Sequence, residues 1–132
     1  MTMIVLDESI YDHRLARSIA HWYPGQVISV IALRANTLVK DEAIPMLLQA
    51  VAQPTFVTIN ISDFWKKVPP HTGYCIIAAD LRQEDSLETG DLLRRCLRLP
   101  EFRTKNNRMG KVILLRSTYL EYYSFDRRIM GR

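Results

Sequence analysis

The stretch MIVLDESI, residues 3–10, reads as an apolar strand that runs straight into two adjacent carboxylates. Ile4, Val5 and Leu6 suit a buried strand, and Asp7 and Glu8 stand where it should end. In an open α/β sheet, ligands gather outside the carboxyl ends of the strands. Paired acids at such an end are therefore a candidate site. The structural alternative is that Asp7-Glu8 merely closes the strand and caps a helix beginning near Ser9. Which reading holds depends on whether the rest of the chain builds that sheet.

Working outward, the segments alternate in type. Residues 9–22 place Ile10, Leu15, Ile19 and Trp22 on one helical stripe, and Pro24-Gly25 stops it. VISVIAL, residues 27–33, is a nearly continuous β-branched run, expected of a strand buried on both faces. A second helix is expected from Asp41, with Ile44, Leu47, Leu48 and Val51 inward and Pro45 tolerated only near its start. Residues 55–60, TFVTIN, read as a third strand, followed by one helical turn over 62–67 with Ser62 as its cap. YCIIAA, residues 74–79, is a fourth strand ending at Asp80, and a helix from Ser86 to about Leu99 follows it. Residues 103–110 read as a polar basic loop, 111–116 as a fifth strand and 119–125 as a sixth after a tight turn at Ser117-Thr118. The expected fold is a single α/β domain over residues 1–132, with a mostly parallel central sheet and helices on both faces. The connection between the last two strands is too short for a parallel pair, so they should form an antiparallel hairpin at the sheet edge, with a frayed tail beyond.

Composition narrows the class. The chain is 48% hydrophobic and 24% charged, ordinary for a globular domain able to bury its own core. Cys75 and Cys96 lack metal-ligand spacing and read as reduced core residues. Residues 1–10 do not resemble a signal peptide, and no apolar run approaches the roughly 20 residues of a membrane helix. The expectation is a cytoplasmic protein with no membrane partner.

The acids then invite a cation. Asp7, Glu8, Asn60, Asp63 and Asp80 fall at or just beyond expected strand ends, and Asp41 and Glu42 open the second helix. Clustered carboxylates repel unless a cation neutralises them. An oxygen-only set without His or Cys suits Mg²⁺ or Mn²⁺. Such an ion can activate water and polarise a phosphodiester. The structural alternatives are helix capping for Asp63, a favourable helix-dipole position for Asp41-Glu42 and a solvated loop for Asp80. His13, His21 and His71 have no metal-like spacing.

The order of these segments resembles the small PIN-like proteins of bacteria. The resemblance rests on IVLDES, then LARSIAHWYPGQVISV, then DEAIPMLLQAV, then TFVTINISDF, and spans about residues 3–116. Each motif is short; their order and spacing carry the likeness. It implies a three-layer PIN-like fold and a Mg²⁺- or Mn²⁺-dependent ribonuclease, including the toxin half of a toxin–antitoxin pair. RNA would then be the substrate and an antitoxin protein a partner. By the same resemblance Asp7, Asp41 and Asp63 take catalytic roles, and Asp7, Glu8, Asp41, Glu42, Asn60 and Asp63 form the metal set. Three departures stand out: Asn60 where the pattern has an aspartate, one extra residue between Asn60 and Asp63, and Pro45 inside the second helix. The asparagine keeps an oxygen ligand but loses a charge. The same departure supports a second expectation, a module that no longer cuts and binds RNA or a protein.

Charge is split along the chain. Residues 1–93 hold 7 Lys/Arg against 11 Asp/Glu, whereas residues 94–132 hold 11 against 3. Arg94, Arg95 and Arg98, followed by Arg103, Lys105 and Arg108, are the expected RNA-phosphate contacts, with Trp65 and Tyr74 as candidate stacking platforms. The bland reading is a solvated basic face. A receiver-type phosphoacceptor is disfavoured, because it needs an aspartate where Asn60 stands and a lysine at the far end of a strand that Lys111 instead begins. Neither glycine-rich nucleotide-binding fingerprint occurs. An exposed final hairpin would offer an edge for a homodimer.

Overall fold

The computed structural model describes residues 2–33, 43–125 and 129–131. Apolar runs become seven strands: β1 (Met3–Leu6), β2 (Gln26–Ser29), β3 (Thr55–Thr58), β4 (Cys75–Ala79), β5 (Val112–Leu115), β6 (Leu120–Tyr123) and β7 (Met130–Gly131). The helices are α1 (His13–Ala20), α2 (Ile44–Gln49), α3 (Ile61–Phe64), α4 (Thr89–Leu97) and α5 (Lys105–Arg108). One sheet contains every strand among the described residues, in the order β2-β1-β3-β4-β5-β6-β7. Neighbours from β2 to β5 pair parallel, and β6 and β7 add on antiparallel.

Side-chain alternation divides the core into two layers, one on each face of the sheet. Ile4, Leu6, Val57, Cys75, Ile77 and Ile113 pack with Leu15 and Ile19 of α1 and Leu93 and Cys96 of α4. Val5, Phe56, Ile76 and Val112 pack with Ile44 and Leu48 of α2 and Phe64 of α3. Strands β3, β4 and β5 are buried throughout, as strands covered on both faces must be. The chain winds outward from β1 to β2, then returns past β1 to β3. Such a reversal opens a crevice between the carboxyl ends of β1 and β3.

Several boundaries differ from expectation, each for a local reason. VISVIAL is a strand only to Ser29; Val30–Leu33 turns into a 3-10 helix, with the Ser29 hydroxyl accepting from the Ile31 amide. Strand β2 is an edge strand with an exposed Gln26, so it is not buried on both faces. Helix α1 begins at His13, because Asp12 caps it by accepting from the Arg14 amide, while Ile10 and Tyr11 donate to the Asp7 carbonyl in a preceding turn. The expected start of the second helix at Asp41 lies outside the described residues; the helix runs from Ile44 with Pro45 in its first turn. Asn60, not Ser62, caps α3. The helix expected from Ser86 is 3-10 over Gln83–Glu88 and α-helical only from Thr89. The basic loop contains α5, capped by Thr104. The β5–β6 hairpin is antiparallel as expected, but it is not the sheet edge. The tail adds β7, which pairs Met130 with Tyr122.

Candidate functional site

Asp7 continues the β1 ladder by one bond, its amide donating to the Val57 carbonyl at 2.9 Å. Its side chain reaches toward the end of β3, where Thr58 meets it. The residue is only 3% exposed. Thr58 Oγ1 donates to Asp7 Oδ2 at 2.6 Å and Ser9 Oγ donates to the same oxygen at 3.0 Å. Among the described residues no donor reaches Oδ1, and no cation pairs with this carboxylate. Among the described residues only neutral hydroxyls hold this buried carboxylate, an arrangement that a cation would stabilise.

Thr58 links this group to the end of β3. Its hydroxyl also accepts from the Asn60 amide at 2.9 Å. Asn60 Oδ1 accepts from the Asp63 amide at 3.3 Å and from Ser62 Oγ at 3.2 Å, closing the first turn of α3. Asn60 Nδ2 donates to Asp63 Oδ2 at 2.8 Å. The structure thus joins Asp7, Thr58, Asn60 and Asp63 in one hydrogen-bonded chain along the carboxyl edge. Glu8 is exposed beside it. Asp41 and Glu42 lie outside the described residues, among which no three His, Cys, Asp or Glu side chains gather as a metal-binding group. Asp80, at the end of β4, is ion-paired with Arg116.

The basic residues sit elsewhere. Arg94, Arg98, Arg103, Lys105 and Arg108 line one cavity with Thr2 and Pro24. Thr2 precedes β1, Pro24 precedes β2, and Arg108 Nε donates to Thr55 Oγ1 at the first residue of β3. This is the amino edge of the sheet. The four residues of a strand rise about 13 Å, so the basic and acidic edges do not share a phosphate. Arg95 is apart from the cluster: its Nη1 donates to the Ser117 carbonyl in the β5–β6 turn. Arg108 is a buried structural cation as well as a wall of the cavity, since Nη1 also donates to the carbonyls of Phe102 and Arg103.

Of the expected stacking platforms, Tyr74 is packed inside and Trp65 is half-buried. Tyr74 is fully buried, with its hydroxyl donating to the Pro69 carbonyl, and Trp65 packs on Tyr123 at 5.3 Å between ring centroids. Trp22 is the aromatic that meets the arginines, with the Arg94 guanidinium 6.0 Å from its ring centroid. Sequence reading missed Thr58, Ser9, Trp22 and Tyr23. Thr58 carried a signal, a polar side chain at the end of a buried strand. In sequence Trp22 reads only as a member of the helical stripe over residues 9–22. Burial pushes the Cys75 and Cys96 thiols up to about 12, in keeping with inert core cysteines. No helix among the described residues is long and apolar enough to cross a membrane.

Comparison of the chain with family profiles, curated proteins and solved structures finds no match.

Proposed function

We propose that this α/β protein is a PIN-like, divalent-metal-dependent ribonuclease whose centre lies at the carboxyl edge between β1 and β3. One observation carries the reading: Asp7 is a nearly buried carboxylate at the point where the strand order reverses, hydrogen-bonded only to hydroxyls among the described residues. The oxygen donor set of Asp7, Asn60 and Asp63 fits Mg²⁺ or Mn²⁺, with Glu8, Asp41 and Glu42 as the further acids the motif order suggests. A bound ion would supply an activated water and charge for a phosphodiester. In this reading Thr58 and Ser9 fix the orientation of the Asp7 carboxylate, and Asn60 orients Asp63. An antitoxin would be the partner if the protein belongs to a toxin pair.

The test is Mn²⁺ titration calorimetry in chelator-stripped buffer, wild type beside Asp7→Asn, followed by cleavage of single-stranded RNA with and without metal. Saturable Mn²⁺ binding and metal-dependent cleavage, both lost in Asp7→Asn, are the expected outcomes. Cleavage that is unchanged in Asp7→Asn would overturn the assignment.

A second reading, a PIN-like module that binds RNA without cutting it, has one observation in its favour. Asn60 points its amide oxygen at the start of α3, where it accepts two hydrogen bonds, so this oxygen serves the helix. Under that reading the wild type binds RNA but shows no cleavage at any Mn²⁺ concentration.

A further inference from the structure

The amino-edge cavity has a volume of about 570 Å³, within the usual range for small-ligand sites. Among the described residues of its wall five are Arg or Lys and none is Asp or Glu, so their field favours an anion. Arg108 is 3% exposed, and among the described residues no carboxylate pairs with it or with its four cationic neighbours. Buried charges are ordinarily paired. Two aromatic residues, Trp22 and Tyr23, also line the cavity, and the Trp22 ring lies beside the Arg94 guanidinium. A flat ring surface beside a cluster of guanidinium groups matches a ligand that is part base and part phosphate.

We propose that this cavity binds a nucleoside monophosphate unit, its phosphate toward Arg98, Arg103 and Lys105 and its base against Trp22. The site is distinct from the carboxylate edge and does not rest on metal-dependent cleavage. The same chemistry is presented by a free nucleotide and by the 5′ end of an RNA strand.

The probe is adenosine 5′-monophosphate, followed by tryptophan fluorescence in a Trp65→Phe background so that Trp22 alone reports. EDTA is present throughout, which silences any metal centre. Saturable quenching is expected, with affinity about tenfold weaker in Arg103→Ala, whose side chain is exposed and not needed for folding. Asp7→Asn is expected to bind as the parent does. Adenosine and inorganic phosphate should each bind more weakly than the monophosphate. Tighter binding of a 5′-phosphorylated oligoadenylate than of its 5′-hydroxyl form would support the site and identify a strand end as its source; preference for the free monophosphate over both would support it and identify a nucleotide. Absence of saturable binding by the folded protein, inorganic phosphate binding as tightly as the monophosphate, or an unaltered affinity in Arg103→Ala would overturn it.

Discussion

Thr58 serves two neighbours at once. Its hydroxyl donates to the Asp7 carboxylate and accepts from the Asn60 amide, so β1 and α3 are both referred to one oxygen. Thr58→Val keeps the shape and removes that oxygen. It leaves a buried carboxylate short of a donor and an amide short of an acceptor, a loss of about 2–3 kcal/mol. Urea unfolding should show the lower midpoint, and Thr58→Ser should recover most of it; equal loss in both variants would mean that packing of the methyl, not the hydroxyl, matters. A second prediction concerns the thiols. Both cysteines have an ordinary value of 9.0 when unfolded and are raised to about 12 by burial. Because the fold favours the neutral thiol, their contribution is complete below pH 9 and declines as pH rises toward 12. Stability should therefore fall through that window, and less so in Cys75→Ala/Cys96→Ala measured against its own neutral-pH value. Neither thiol should react with a disulfide reagent at pH 8 until the protein is unfolded.

Helix α3 is four residues long, and its cap lies in the candidate site. Asn60→Asp preserves a good capping residue but replaces the 2.8 Å amide–carboxylate bond to Asp63 with like charges. Without metal this variant should be about 1 kcal/mol less stable than wild type. With Mn²⁺ its melting temperature should rise by more than that of the wild type, since the added charge restores the acid that the PIN-like pattern carries. An equal response of the two proteins to Mn²⁺ would count against a metal between these side chains. The element scale also shows what the sequence made legible. Strands β3, β4 and β5 were readable because they are buried on both faces and keep their apolar runs unbroken. The end of β2 was not, because Val30 is buried in a 3-10 turn and looks the same in sequence as a strand residue. Helix α5 is too short for any periodicity to register. Asp7, Asn60 and Asp63 were placed correctly at one edge by the strand-end rule alone. The basic cluster was not placed, although chain direction held the clue: Arg103–Arg108 precedes a parallel strand and so belongs at its amino end.

At the scale of the whole molecule, charge is separated along the strand direction. The carboxyl edge carries Asp7 and Asp63, and the amino edge carries the cavity lined by Arg and Lys. The two edges should therefore make separable contributions to RNA binding. Counterion release depends on how many phosphates the cations neutralise, and each contact to a single strand adds about 0.7 to the slope of log affinity against log salt. Arg98→Ala/Arg103→Ala removes two such cations without touching the core, as both side chains are exposed. Its slope for single-stranded RNA should be smaller than the wild-type slope by about 1.4. Asp7→Asn removes a negative charge at the far edge, beyond one Debye length of about 10 Å at 0.1 M salt, and should leave the slope unchanged. The comparison is made by fluorescence anisotropy of a labelled RNA between 50 and 200 mM salt on the order of the range where such slopes are linear. A wild-type slope retained in the double variant would mean that RNA phosphates do not lie on the amino edge. A slope that changes in Asp7→Asn instead would place the strand across the carboxyl edge, beside the acids.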